Sequence, residues 1–293
     1  MKFITKIYIT FSFLLIFFSC EEKLIAEEPA YIEINNFDYY GNNSTALPHP
    51  NGYSQFNSTN ISDVWISMDG QIIGNYEIPS RIPILSEGNH SFDIYPGIKV
   101  NGISGARIKY PFYQKFTTDI LLIKNECIEI IPKTQYIDNL PTPYFNTKGQ
   151  FESSGTMFEK HSLSDTTAIM QNEVVFQGEK SAAIFLNNEQ SYFDIRNIEP
   201  LELTNNTFLE LNFLSSINFN VGLIILNPGS IEIKEELIQL YKTREWKKIY
   251  LDLGPLVSLG NSYSMFKIYF EGTHNENDNE SSVYLDNLKL LHQ

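Results

Sequence analysis

Two consecutive all-β domains are the fold this sequence predicts, and three observations point there. The 293-residue chain carries 21 Phe and 17 Tyr, and aromatic and β-branched side chains favour strands over helices. In WKKIYLDL, Trp246, Lys248, Tyr250 and Asp252 alternate with Lys247, Ile249, Leu251 and Leu253. That is the period of a strand with one buried and one wetter face. In DVWISMDGQIIGNYEIP the pair Asp69-Gly70 separates two strand-like runs, the strongest short hairpin signal in the chain.

The elements begin with an export signal. Lys2 and Lys6 precede the 12-residue apolar run Ile7–Phe18, which Ser19 and Cys20 follow. Twelve helical residues span roughly 18 Å against the ~30 Å hydrocarbon core of a bilayer, so the run reads as a signal peptide and not as a spanning helix. Phe17-Phe18-Ser19-Cys20 resembles the lipobox of bacterial lipoproteins, with Phe17 where that family usually has Leu. The resemblance implies cleavage after Ser19 and an acylated Cys20 anchored in the outer membrane of a Gram-negative bacterium. Each buried methylene adds ~0.8 kcal/mol to the hold, so several acyl chains need no second anchor. Glu21-Glu22-Lys23 resembles a surface-export signal, which implies outward display, with the periplasmic face as the alternative. Cys127, the other cysteine, then has no disulfide partner, and within LLIKNECIEII it reads as a small buried hydrophobe.

Cleavage would remove Lys2 and Lys6 and leave 19 basic against 35 acidic residues, a net of −16, where the whole chain has −14. Such a balance excludes nucleic acid, which demands Lys and Arg clusters. It also excludes electrostatic adhesion to anionic lipid. Calcium, cationic partners and neutral glycans stay compatible.

After the lipidated tether, residues 20–28, the first domain is expected at 29–132. Its strand signals are Tyr31–Asn36, Asp63–Met68, Gln71–Tyr76, Ser91–Tyr95, Arg107–Tyr110 and Phe116–Ile131. Short strands separated by turn residues read as a small β-sandwich. The order of Gly88, a strand and Pro96-Gly97 in SEGNHSFDIYPG resembles Ig-like and PEGA-like modules. Residues 133–148 hold Pro141 and Pro143 and read as a semi-stiff linker.

The second domain is expected at 149–293, with strands at Lys180–Leu186, Tyr192–Ile195, Phe208–Phe213, Asn218–Leu226, Leu237–Tyr241, Trp246–Leu253, Ser264–Phe270 and Ser282–Leu291. Eight strands in this length suit a jelly-roll sandwich. The succession VVFQGEKSAAIFL, TFLELNFLSS, EWKKIYLDL and VYLDNLKLL resembles carbohydrate-binding-module jelly rolls. What that resemblance implies is a non-catalytic binding domain with a structural calcium ion between first and closing strands. Glu152 and Asp286, the latter in Tyr284-Leu285-Asp286-Asn287, match those positions. The alternative for Asp286 is a carboxylate satisfied by backbone N–H groups.

Catalytic inventories are thin. The chain has neither a Gly-x-Ser-x-Gly elbow nor an HExxH pair, and His49, His90, His161, His274 and His292 are scattered and read as surface or loop residues. His274–Glu280 (HNENDNE) lacks EF-hand spacing and reads as a hairpin loop. Two carboxylates for glycoside hydrolysis need only face each other in space, so 35 acidic residues single out none. Glycan binding needs rings presented at a surface. Trp65 and Trp246 lie inside strands and read as core, whereas Tyr39, Tyr40, Tyr53 and Phe56 belong to the long polar segment Phe37–Asn60 and are the ligand-binding candidates. The expectation is a membrane-tethered, non-enzymatic protein that binds a glycan. A structural subunit docking an envelope protein is the alternative, and a glycoside hydrolase the third reading.

Overall fold

The computed structural model describes residues 27–39, 58–138, 141, 144–145, 148–153 and 155–293. Cys20, Tyr40, Tyr53 and Phe56 lie outside the described residues. The chain is all-β, in two sandwiches. Among the described residues no helix is long and apolar enough to cross a membrane.

The first sandwich contains β1 (Ala30–Ile34), β2 (Asp38–Tyr39), β3 (Asp63–Met68), β4 (Gln71–Glu77), β5 (Ser80–Ile84), β6 (Gly88–Lys99), β7 (Arg107–Lys109), β8 (Phe116–Leu122), β9 (Cys127–Glu129) and β10 (Lys133–Thr134). Asp69 and Gly70 both have positive φ, +50° and +80°, and close the β3–β4 hairpin expected of an Asp-Gly pair. One sheet runs β4-β3-β6-β7, with β8 also paired to β6, and a smaller one runs β5-β1-β9. Alternate residues, Val64, Ile66, Phe92, Ile94, Ile32 and Ile34 among them, fill the space between the two sheets.

Two expectations are corrected here. The single strand over Phe116–Ile131 is two, because Asn125 turns the chain with φ +65° and sends β9 to pair in parallel with β1. Cys127 is exposed, not buried. It shares the solvent side of β9 with Glu129, while Ile128 packs on the core.

The second sandwich contains β11 (Phe158–Lys160), β12 (Ile169–Gln171), β13 (Ser181–Leu186), β14 (Tyr192–Asn197), β15 (Thr207–Ser215), β16 (Phe219–Leu226), β17 (Ile233–Leu240), β18 (Lys247–Asp252), β19 (Met265–Thr273) and β20 (Ser281–His292), with a one-turn helix at Gly254–Val257. They form two five-stranded antiparallel sheets, β11-β14-β19-β16-β17 and β12-β13-β20-β15-β18, the jelly-roll arrangement expected. Between them lies one apolar core that includes Ile184, Phe193, Leu211, Leu223, Phe270 and Leu285.

The sandwiches are packed together. The segment expected as a linker contributes β10, which pairs in parallel with β2, and Tyr136, which is 2% exposed. A third apolar cluster joins Tyr39, Ile98, Tyr110, Phe112, Tyr113 and Tyr136 of the first part to Phe208, Tyr250 and Leu291 of the second. Asn101 N–H donates to the Tyr250 carbonyl at 2.8 Å, and Asp252 N–H to Asn101 Oδ1 at 2.9 Å.

Candidate functional site

With the inner faces of both jelly-roll sheets committed to the core, the outer faces are the sheet surfaces that can meet a ligand. On the β12-β13-β20-β15-β18 sheet, strand alternation sends Phe208, Glu210, Asn212 and Leu214 outward from β15 while Leu209, Leu211 and Phe213 point in. One half of this outer face lies under the first sandwich. Glu210, fully buried there, accepts from Tyr110 OH at 2.7 Å, from Tyr136 OH at 2.8 Å and from Lys248 Nζ at 2.7 Å. Burial pushes the Glu210 carboxyl up, but Lys248 and Lys289 outweigh it and hold the group below its ordinary range. Burial, with repulsion from Lys248, brings Lys289 down to about 7. The Glu210 carboxylate, the two tyrosine hydroxyls and the Lys248 ion pair tie the sandwiches together.

Tyr39 is a correction. It is 4% exposed, with Tyr113 and Tyr136 rings edge-on to it at 5.8 and 6.0 Å. Its ring packs inside this junction and presents no face to a ligand.

The covering stops at Ser58, whose hydroxyl donates to Asn212 Oδ1. Beyond it, among the described residues, Ile169, Phe176 and Phe185 are exposed on or beside the same sheet face. Ile169, Ala183, Tyr284 and Leu214 lie in register across β12, β13, β20 and β15, and Trp246 precedes β18 on the same side. Trp246, expected in the core, is therefore half-buried on an outer face, touching Phe176 and Tyr284 at ring separations of 5.8 and 6.4 Å. Trp65 is likewise half-buried on an outer face, in the first sandwich, with Lys109 Nζ 6.0 Å from its ring and 3.8 Å from that of Tyr95.

The β11-β14-β19-β16-β17 sheet has an outer face of different character. Gly222 lets the Tyr269 ring lie flat on β16, since a Cβ there would meet Tyr269 Cε1 at 2.7 Å. Lys234 covers that ring, with Nζ 4.3 Å from its centre, and pairs with Asp194 at 2.8 Å and Glu271 at 2.5 Å. Arg196 reaches Asp194 at 3.6 Å and Glu232 at 3.1 Å. Beside this network a cleft of about 280 Å³ is lined by Tyr192, Asn218, Asn220, Gln239, Glu271 and Thr273. Tyr192 OH donates to Glu271 Oε2 at 2.9 Å, and Gln239 Nε2 to Asn220 Oδ1 at 3.2 Å. Burial raises the Glu271 carboxyl, yet hydrogen bonds from Lys234 and Tyr192 outweigh that and keep it ionised. Glu271 is the one carboxylate lining the cleft, and its cross-strand neighbour Asp194 shares Lys234 with it.

Glu152 and Asp286 do come together, at the 174–180 loop. Glu152 Oε1 accepts from the N–H groups of Glu179 and Lys180 at 2.9 and 3.2 Å, and Asp286 Oδ2 from those of Phe176 and Gln177 at 3.2 Å each. Gly178 makes room, for a Cβ there would stand 2.1 Å from Glu152 Oε1. Asp286 is fully buried, and burial, reinforced by the Glu152 charge, lifts it to about 7 against the pull of the N–H groups. The carboxylate oxygens suit a hard cation, while the four N–H groups satisfy them without one. Among the described residues no three His, Cys, Asp or Glu side chains converge as a metal site would need.

The histidines are not all surface residues. His274 is 5% exposed and bonded to Ser281 Oγ and the Asp278 carbonyl. His90 stands between Asp69 Oδ2 (2.6 Å from Nδ1) and Ser86 Oγ (2.7 Å from Nε2), the order of a nucleophilic triad. Nε2 also faces the Glu87 carbonyl at 3.1 Å, which can only accept. The Asp69 hydrogen bond raises the His90 pKa. The trio pins the β3–β4 turn to the β5–β6 loop.

No family model matches the chain, and no curated protein matches it. Solved structures similar to it are carbohydrate-binding modules. One, described as from the β-sandwich superfamily, is 13% identical with a TM-score of 0.40, over 78% of this chain and 85% of that one. A xylan-binding domain of family 22 is 12% identical with a TM-score of 0.34, over 49% of this chain and 92% of that one. The family 11 module of a cellulosomal cellulase of Clostridium thermocellum is 12% identical with a TM-score of 0.34, over 50% and 92%.

Proposed function

We propose that this protein is a membrane-anchored, non-enzymatic glycan-binding lipoprotein whose jelly roll takes its ligand in the cleft on the outer β11-β14-β19-β16-β17 face. The observation that carries this reading is the lining. Three amides (Asn218, Asn220, Gln239), Thr273, the Tyr192 phenol and one ionised carboxylate converge on a concavity of about 280 Å³. Neutral donors and acceptors beside the Tyr192 ring match sugar hydroxyls, and a concave site with a few convergent polar groups is the usual form of a small-ligand pocket. The lipobox at Cys20 supports anchoring by acyl chains in the outer membrane, and Glu21-Glu22 supports display at the cell surface. A calcium ion held by Glu152 and Asp286 would be structural, some way from the cleft residues in sequence and on the other sheet.

Affinity electrophoresis and calorimetry of the full chain in detergent, against soluble xylan, mixed-linkage β-glucan, β-1,4-galactan and dextran, test the proposal. Retardation by at least one polymer is expected, and the double variant Tyr192→Ala, Gln239→Ala is expected to weaken it by roughly ten- to a hundredfold, as for the loss of two buried polar or aromatic contacts. Binding untouched by that variant would move the site elsewhere.

A further inference from the structure

The chain enters the first sandwich at the end opposite the junction. β1 begins there at Ala30, in register with Ile84 of β5, while β3 and β8 finish there and β6 starts there at Gly88. From that end β6 runs to the junction, where Val100 and Asn101 meet Tyr250. Among the described residues the first sandwich exposes six large apolar side chains. Ile103 and Ile131 lie elsewhere, and the other four, Ile72, Leu85, Leu121 and Ile123, stand at the entry end. Ile72 is 71% and Leu85 67% exposed. They belong to separate segments, the β3–β4 hairpin, the β5–β6 loop and the end of β8. His90 holds the first two together through Asp69 and Ser86. Just past Ile123, Asn125 N–H donates to the Pro29 carbonyl at 2.9 Å. The apolar tips are thus fixed around the point where the chain comes in.

We infer that this end of the first sandwich rests on a lipid bilayer, with Ile72, Leu85 and Ile123 seated among the headgroups. The inference rests on the reading of Cys20 as an acylated anchor. Three observations choose lipid as the occupant. Cys20 precedes Pro29 by nine residues, which reach roughly 30 Å at full extension, so the anchor keeps the entry end, and not the junction end, beside the membrane. The four exposed side chains are all aliphatic. They offer neither the rings nor the arginine that anchor a protein partner, and they gain from an interface as acyl methylenes do. The charges between the tips are mostly paired, Glu87 with Lys124 at 3.3 Å and Asp69 with His90 at 2.6 Å, which lowers the cost of bringing them to a headgroup layer. The jelly roll, joined at the other end, is then held clear of the lipid by the 12 residues of β6, roughly 40 Å of strand.

The full chain, acylated and reconstituted in phosphatidylcholine vesicles, tests this. Its only cysteines are Cys20 and Cys127, so in a Cys127→Ser background one thiol-reactive fluorophore can be set at Leu85→Cys, Ile123→Cys or Ile103→Cys. All three positions are exposed, which leaves the core intact, and two of them probe the entry end independently. An apolar face seated in an interface lies ~5–10 Å deep. Phosphatidylcholine carrying a nitroxide near its headgroup is therefore expected to quench most of the emission at Leu85 and Ile123, and little of it at Ile103. Protein that floats with the vesicles but shows equal quenching at all three positions, or none at Leu85 and Ile123, overturns the inference and keeps the anchor. Protein that does not float with the vesicles overturns the anchor reading and this inference with it. Probes at Leu85 and Ile123 shielded from the nitroxide, in a protein that sediments as a dimer, give the entry end to a second copy, and that too overturns the inference.

Discussion

At the residue scale, single positions turn on which side of a strand they occupy. Cys127 follows a run of apolar residues and reads as core, yet it shares its parity with Glu129, and both face solvent. Trp246 shares its parity with Lys248, Tyr250 and Asp252, so the outward placement was written in the alternation; the prior that a strand tryptophan is core hid it. Asp286 shows what burial does to a charge. Its pKa rises from 3.8 to about 7 on folding, so the folded chain holds this proton more tightly than the unfolded chain between about pH 4 and 7. Stability from this group is therefore present below pH 4, falls as pH rises through that window, and stays low above 7. Asp286→Asn in chelator is expected to leave the melting temperature unchanged near pH 4 and raise it at pH 8, by roughly 2–4 °C for each kcal/mol relieved. If calcium binds there, its addition at pH 8 raises the melting temperature of the parent and not of the variant. Scanning calorimetry in EDTA and in calcium across pH 4–8 reads both.

At the scale of elements, hairpin chemistry and alternation were legible, while short pairings were not. β2, β10, β11 and β12 have two or three residues each, too few for a period to register; β11 and β12 form along the longer β14 and β13, and β2 and β10 form only with each other. β16 carries a bulge between Val221 and Gly222. Gly222 is needed there by close approach, since a Cβ would stand 2.1 Å from the Glu235 carbonyl oxygen as well as against Tyr269. Gly222→Ala is expected to cost about 1–3 kcal/mol in urea unfolding. Because Asn220 and Tyr192 line the cleft beside that strand, the same variant is expected to weaken glycan retention by more than Gly70→Ala, which has open space around it.

At the scale of the whole molecule, the junction decides whether the two sandwiches unfold together. Glu210, Lys248 and Lys289 are buried at its centre, with Tyr110 and Tyr136 completing the carboxylate's bonds. Removing the Glu210 carboxylate takes away the charge partner of the buried Lys248. Glu210→Gln is expected to destabilise the protein by about 3–5 kcal/mol, and the triple change Glu210→Leu, Lys248→Met, Lys289→Met to recover most of it, as when a buried ion cluster is replaced by apolar groups. Calorimetry is expected to show one transition for the parent and for the triple variant, and a broadened or divided one for Glu210→Gln.

The sequence by itself determined what depends on neighbours along the chain. The acidic balance, the all-β class, the Asp-Gly hairpin and most long strands are all set by local composition, backbone preference and a two-residue period. Only the tertiary structure decided what depends on residues far apart. It buried Tyr39 and Tyr136 in a junction with Tyr250, brought Glu152 to the loop that holds Asp286, assembled the cleft from β14, β16, β17 and β19, and left Trp246 half-buried on an outer face. Alternation tells a side chain that it leaves the core, and carries no information about whether another domain, a ligand or water will meet it there.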